Sequence, residues 1–269
     1  NICMRPHDAE KRMRALAKAA VDIDPDVIVL QEATKWLLSI LLNSCHHDTP
    51  CGEECDEPWS EKYFVYDGDA NNAHSPTRFF SSDEDEDDVF VKRKPFMIHY
   101  LVIMSKIPLV AFQRNRFPET STRRYMMEGV YICPTTGLSL RICNIHLESL
   151  PKNKEIRTAQ LRYLFRRFSN LCMYPTLIIG DFNILREDPE PRIPKPYRDL
   201  WLTQGSFHDE GFTYNGTTNF LARRGFESRL DRAYWRPHTN WNHLSQKIEM
   251  SLITSYQVSD HYGILVVIN

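Results

Sequence analysis

Carboxylates, carboxamides and two histidines recur in short clusters where hydrophobic runs end. They are Asn1, Gln31-Glu32, His146 with Glu148 and Ser149, Gly180-Asp181-Phe182-Asn183, and Asp231 with Ser259-Asp260-His261. Together they can hold a magnesium ion and direct water at a phosphate ester. Gln31-Glu32 follows four apolar residues, where an unpaired carboxylate is costly to bury, and Glu32 suits a magnesium ligand. In Gly180–Asn183 the glycine leaves room for a ligand, while Asp181 deprotonates or orients a water and Asn183 positions it. His261 can carry positive charge toward a phosphate, and Asp231 is suited to orient its ring. Each cluster has a plainer alternative. Glu32 could simply reach water, 180–183 could be a turn, Asp231 could pair with Arg232 or Arg229, and His146 could be structural. The order and strand-end position of the clusters favour the chemical reading.

The elements that must position them are legible in the hydrophobic pattern. Met13, Leu16, Ala17 and Ala20 recur at helical spacing over 8–22, and Asp24-Pro25-Asp26 ends that helix. Val27–Leu30 reads as a strand buried on both faces, and 34–43 as a helix with Trp36, Leu37 and Leu41 inward. Further strands are expected at 63–66, 97–104, 107–114, 127–133 and 138–146. A helix over 152–171 turns Ile156, Leu161, Leu164, Phe165 and Phe168 to one side. The strand 176–181 delivers Asp181 at its end. A short helix near 197–204 and strands at 229–235, 248–253 and 262–268 complete the chain. This pattern predicts two β-sheets face to face with helices outside, in one domain.

Composition is that of a globular protein, and no apolar run approaches a membrane span. Seven scattered cysteines favour a reducing, intracellular compartment over a disulfide framework. The net charge of −2 includes the acidic block 83–88, so the remainder is mildly basic. That block reads as a solvated loop, with a nucleic-acid mimic guarding a basic cleft as the sharper alternative. Arg123-Arg124, Arg223-Arg224 and Arg229 are the candidates for a basic groove. Cys45-His46-His47, Cys51 and Cys55 match no standard zinc spacing, which argues against zinc.

The ordered set Asn1, Gln31-Glu32, His146, Gly180-Asp181-x-Asn183, Asp231 and Ser259-Asp260-His261 resembles the endonuclease/exonuclease/phosphatase superfamily. Finer features are similar to its type 2 tyrosyl-DNA phosphodiesterase family: His146–Ser149, Phe212-Thr213-Tyr214 with Asn219, Arg229–Arg232 and Ser259–Gly263. The resemblance implies an α/β (α+β) fold, a four-layer αββα sandwich of two mixed sheets over 1–269. Its first strand is truncated, and 44–60 and 75–95 are inserts. It implies Mg2+ (Mn2+ as substitute) on Glu32, with Asn1 and Asp260 beside it. Asp181 and Asn183 then handle the water, His261 and His146 stabilise the transition state, and Asp231 orients His261. Ser149, Arg124, Arg229 and Tyr214 fall at substrate-binding positions. The implied reaction is hydrolysis of a phosphodiester between tyrosine and the 5′ end of DNA or RNA. The enzyme would be a monomer without membrane attachment, in nucleus or cytoplasm. Rival readings are an apurinic endonuclease, a deadenylase, an inositol-lipid or sphingomyelin phosphatase, and a non-catalytic nucleic-acid-binding module.

Overall fold

The structure, a computed structural model, describes residues 1–2, 8–42, 62–67, 100–134, 137–170, 174–204, 210–237, 248–256 and 258–268. The expected inserts, the acidic block and the Cys/His segment at 45–55 lie outside the described residues. The chain divides into two compact units, Asn1–Pro108 with Tyr256–Ser259, and Leu109–Ser255 with Asp260–Asn269.

In the first unit, α1 (Ala9–Ile23) buries Ala9, Met13, Ala17 and Ala20 on one stripe. It stops where Asp24 turns left-handed and donates its backbone N–H to the Ala20 carbonyl, just before Pro25. Three antiparallel strands, β1 (Val27–Ala33), β2 (Phe64–Tyr66) and β3 (Tyr100–Ser105), pair in the order β1-β3-β2. Val27, Ile28 and Val29 are half-buried, so β1 is not covered on both faces over its first half as its apolar run suggested. α2 (Lys35–Leu42) opens with Thr34 Oγ1 accepting the Leu37 amide at 3.2 Å. Leu37, Leu38, Leu41 and Leu42 form its buried stripe. Trp36, expected inward, is 37% exposed because it falls off that stripe.

The second unit is built on a six-stranded mixed sheet. Its strands are β4 (Ala111–Arg116), β5 (Tyr125–Ile132), β6 (Ser139–His146), β7 (Thr176–Asp181), β8 (Arg198–Asp199) and β11 (Asp231–Arg236), in the order β4-β5-β6-β7-β11-β8. β4 begins later than 107 because Pro108 has no N–H to give; pairing starts with the Val110 amide on the Val130 carbonyl. Among the described strands only β6 and β7 run parallel, and the crossover that a parallel pair requires is α3 (Lys154–Asn170). Leu164, Phe165 and Phe168 of α3 pack with Ile178, Phe182 and Tyr234. Two-stranded ribbons pair β9 (Tyr214–Asn215) with β10 (Glu227–Ser228) and β12 (Ile248–Ile253) with β13 (Gly263–Ile268). Asp199 caps the short α4 (Leu200–Thr203) by accepting the Trp201 and Leu202 amides. Among the described residues no helix is long and apolar enough to cross a membrane.

Candidate active site

Three neighbouring strands of the second unit present a polar residue at the same level. His146 on β6 is in register with Asp181 on β7, and Asp181 is in register with Asp231 on β11. Gly180 explains how β7 approaches β6 so closely. It has φ +142, and a Cβ there would lie 2.2 Å from the Ile145 carbonyl oxygen. The glycine therefore makes room for backbone and not for a ligand, which corrects the expectation from sequence.

Asp231 and His261 form a pair, with His261 Nδ1 2.7 Å from Asp231 Oδ2 and the two side chains 8% and 6% exposed. Burial alone disfavours a charged imidazole, but the Asp231 carboxylate outweighs it and raises the His261 pKa to about 9. Burial likewise opposes the Asp231 anion, and the facing ring holds its pKa below the usual value. Thr213 Oγ1 accepts the Asp231 amide at 2.9 Å, while the Tyr262 amide donates to the Thr213 carbonyl at 2.7 Å. Tyr214 stands perpendicular to the His261 ring with centroids 5.3 Å apart. Its hydroxyl accepts the Arg223 amide.

On the other flank, Arg124 reaches His146 Nδ1 at 2.8 Å, and His146 Nε2 lies 3.5 Å from Asp181 Oδ2. A guanidinium can only donate, so Nδ1 must carry a lone pair and the proton sits on Nε2. His146 is therefore neutral where His261 is charged. Asp181, 1% exposed, accepts the Asn183 amide on Oδ1 at 2.8 Å. The Asn183 side chain donates Nδ2 to the Leu147 carbonyl at 3.0 Å, which directs its Oδ1 the opposite way.

Asp181, Asp231 and His261 offer ligand atoms all within 4.8 Å, among the described residues a group that could hold a metal ion. The proton shared between Asp231 and His261 makes these two poor ligands, so the three side chains do not make a metal site by themselves. Asp260, half-buried, precedes His261 in the chain. In the first unit the Ile2 amide donates to the Gln31 carbonyl at 2.9 Å, which sets Asn1 beside the end of β1. Glu32 sits in a register break between Leu30 and Ala33, with φ 58. Asn183 has φ 51. Left-handed backbone is ordinary for Asn but strained for Glu, and such strain gathers at functional positions.

Arg229 is corrected. Its Nη1 lies 2.8 and 2.9 Å from the two Asp199 oxygens in a buried pair, so the guanidinium is committed inside the fold and does not face a substrate. Ser149 is half-buried and accepts Asn153 Nδ2 on its backbone carbonyl. Sequence reasoning gave no role to Thr213 beneath Asp231, nor to Glu148 and the 120–122 loop behind Arg124. The hydroxyl-rich Thr120-Ser121-Thr122 and the acid of His146-Leu147-Glu148 were the available signals.

The chain matches the family described as Endonuclease/Exonuclease/phosphatase over residues 1–261. It is 30% identical over 105 residues to a 5′-tyrosyl-DNA phosphodiesterase of Caenorhabditis elegans, covering 37% of this chain and 29% of that protein. A 5′-tyrosyl-DNA phosphodiesterase of Caenorhabditis briggsae is 28% identical over 138 residues, or 48% of this chain and 38% of that protein. The matched segments thus span well under half of those relatives. Among solved structures, truncated Caenorhabditis elegans TDP2 superposes with TM-score 0.70 at 20% identity, covering 98% of this chain and 92% of that one. D. rerio TDP2 complexed with single strand DNA product gives TM-score 0.70 at 19% identity, covering 98% and 94%. The mixed α/β fold expected from sequence is the fold these structures share.

Proposed function

Because this chain belongs to the endonuclease/exonuclease/phosphatase family, we propose that it is a divalent-metal-dependent phosphodiesterase that hydrolyses a 5′-phosphotyrosyl ester of DNA or RNA. One observation carries the reaction class: His146, Asp181 and the Asp231–His261 pair lie at one level of three adjacent strands. The relatives' activity supports the choice of substrate. We treat residues 1–269 as one catalytic domain, since the family match runs through both compact units. A monomer acting inside the cell, in nucleus or cytoplasm, completes the proposal.

Following the family resemblance, we assign Mg2+ or Mn2+ to Glu32, Asn1 and Asp260, whose side-chain oxygens are hard donors of the kind such ions prefer. When bound, the ion would supply Lewis-acid neutralisation of phosphate charge. The remaining steps belong to side chains. Asp181 takes a proton from the attacking water, which Asn183 Oδ1 helps to hold. His261, charged through Asp231, donates to a phosphoryl oxygen as negative charge develops. His146 offers a neutral Nε2–H. Tyr214, packed on His261, is suited to steady the leaving end of the substrate.

A side-by-side assay tests this: 5′-phosphotyrosyl single-stranded DNA, abasic duplex, poly(A) and inositol phosphates, each with magnesium. The tyrosyl substrate should turn over fastest, and EDTA or Glu32→Ala should abolish turnover without unfolding the chain. Preference for another substrate overturns the substrate reading, and full activity in EDTA overturns the mechanism.

A further inference from the structure

Glu148 follows β6 by two residues and is fully buried, yet it is not part of the row of strand-end groups. Its carboxylate collects five hydrogen bonds from the β4–β5 loop. Oε1 accepts from Thr120 Oγ1 at 2.6 Å, the Ser121 amide at 2.6 Å and the Thr122 amide at 2.9 Å. Oε2 accepts from the Ser121 and Thr122 hydroxyls, both at 2.9 Å. The backbone of Glu148 is held too: its amide donates to Gln160 Oε1, and Gln160 Nε2 donates to the Glu119 carbonyl in the same loop. Burying a carboxylate this completely is costly unless it is hydrogen-bonded, and the five donors offset that cost while fixing the loop to Glu148.

What the loop carries is Arg124. Thr120 Oγ1 is a hub, since it donates to Glu148 and accepts the Arg124 amide at 2.7 Å. Arg123 just before it is left-handed, at φ 62, which turns the chain back as it enters β5. The Arg124 guanidinium ends on His146 Nδ1 at 2.8 Å. Carboxylate, hydroxyl, amide, guanidinium and imidazole thus form one continuous chain. We infer that Glu148 is a positioning residue: through Thr120 it holds Arg124 against His146 and so fixes the His146 ring in its neutral Nε2–H form. This deepens the phosphodiesterase reading and rests on it for its catalytic meaning, but the ring form itself can be measured without turnover.

The test is the ring tautomer of His146 in the full chain, read from nitrogen–proton correlation spectra of 15N-histidine protein and assigned with His146→Gln. The wild type should show protonated Nε2 and bare Nδ1. Thr120→Val removes the hub while leaving the Glu148 carboxylate in place, and Glu148→Ala removes its source. Both should admit the Nδ1–H form, as should Arg124→Ala. Glu148→Gln keeps an acceptor for Thr120 and should restore the wild-type pattern. If Glu148→Ala does not fold, Thr120→Val carries the test alone. A folded Thr120→Val or Glu148→Ala protein with the wild-type tautomer overturns the inference. A changed tautomer with unchanged hydrolysis supports the positioning and removes His146 from the reaction, so the two readings fail separately.

Discussion

The four residues Arg229-Leu230-Asp231-Arg232 feed two buried charge clusters of opposite character. Arg229 grips Asp199 with both bonds from Nη1, and Arg232 grips Glu190 through Nη1 at 2.6 Å and Nη2 at 3.1 Å. Asp231, next to Arg232, faces the opposite way and meets His261. The strand pleat separates them, since successive side chains point to opposite faces. The Arg229–Asp199 and Asp231–His261 pairs are alike in burial and charge; what differs is the partner. An arginine does not give up its proton in a protein, so its cluster can only hold the fold. A histidine can gain or lose one, so the Asp231–His261 pair can do chemistry.

Substitutions should separate the two clusters. The largest effect is expected at Asp181: Asp181→Asn should cut the hydrolysis rate by roughly 10²–10⁴-fold with an unchanged unfolding midpoint. Normal turnover in that variant would break the assignment of the strand-end row. Arg229→Met should do the reverse. It strips Asp199 of its close partner and should cost about 3–5 kcal/mol of stability, with activity per folded molecule retained. Denaturant unfolding paired with active-site titration reads both quantities.

The His261 pair predicts a pH signature. The His261 pKa is raised from 6.5 to about 9, so its stabilisation is complete below the unfolded value and is lost as pH rises through about 9. The Asp231 pKa is lowered from 3.8, so its share is complete above that value and is lost as pH falls through the folded pKa. Stability from the pair should therefore peak between 3.8 and 6.5. The rate should show an alkaline limb near 9, and Asp231→Asn should move that limb down toward 6.5. A limb that stays in place would mean that Asp231 does not set the charge of the ring. The smallest effect belongs to Glu190, whose side chain is 61% exposed. Glu190→Gln should change stability by about 1 kcal/mol or less and leave the pH profile alone, as thermal melts and a rate scan would verify.

Much of the frame was readable in the sequence because it is periodic or punctuated. The stripe Met13–Ala17–Ala20 and the Asp24-Pro25 stop gave α1, and the apolar run before Asp181 gave β7. Where expectation missed, a local pattern was ambiguous. Trp36 looked like core because it is large and apolar, but the leucine stripe of α2 excludes it. From sequence Gly180 reads as room for a ligand, and only the parallel pairing with Ile145 shows whose backbone needs the space.

The sequence by itself determined which residue types are available and that they stand at strand ends, because hydrophobic periodicity and turn residues act over a few neighbours. The tertiary structure alone decided which of them meet. Register across β6, β7 and β11 aligns His146, Asp181 and Asp231, residues separated by up to 85 positions in the chain. Tertiary packing also sends Arg229 inward to Asp199 and ties Glu148 through a distant loop to His146. Those partnerships depend on strand order and on the packing of long-range neighbours, which no local pattern encodes.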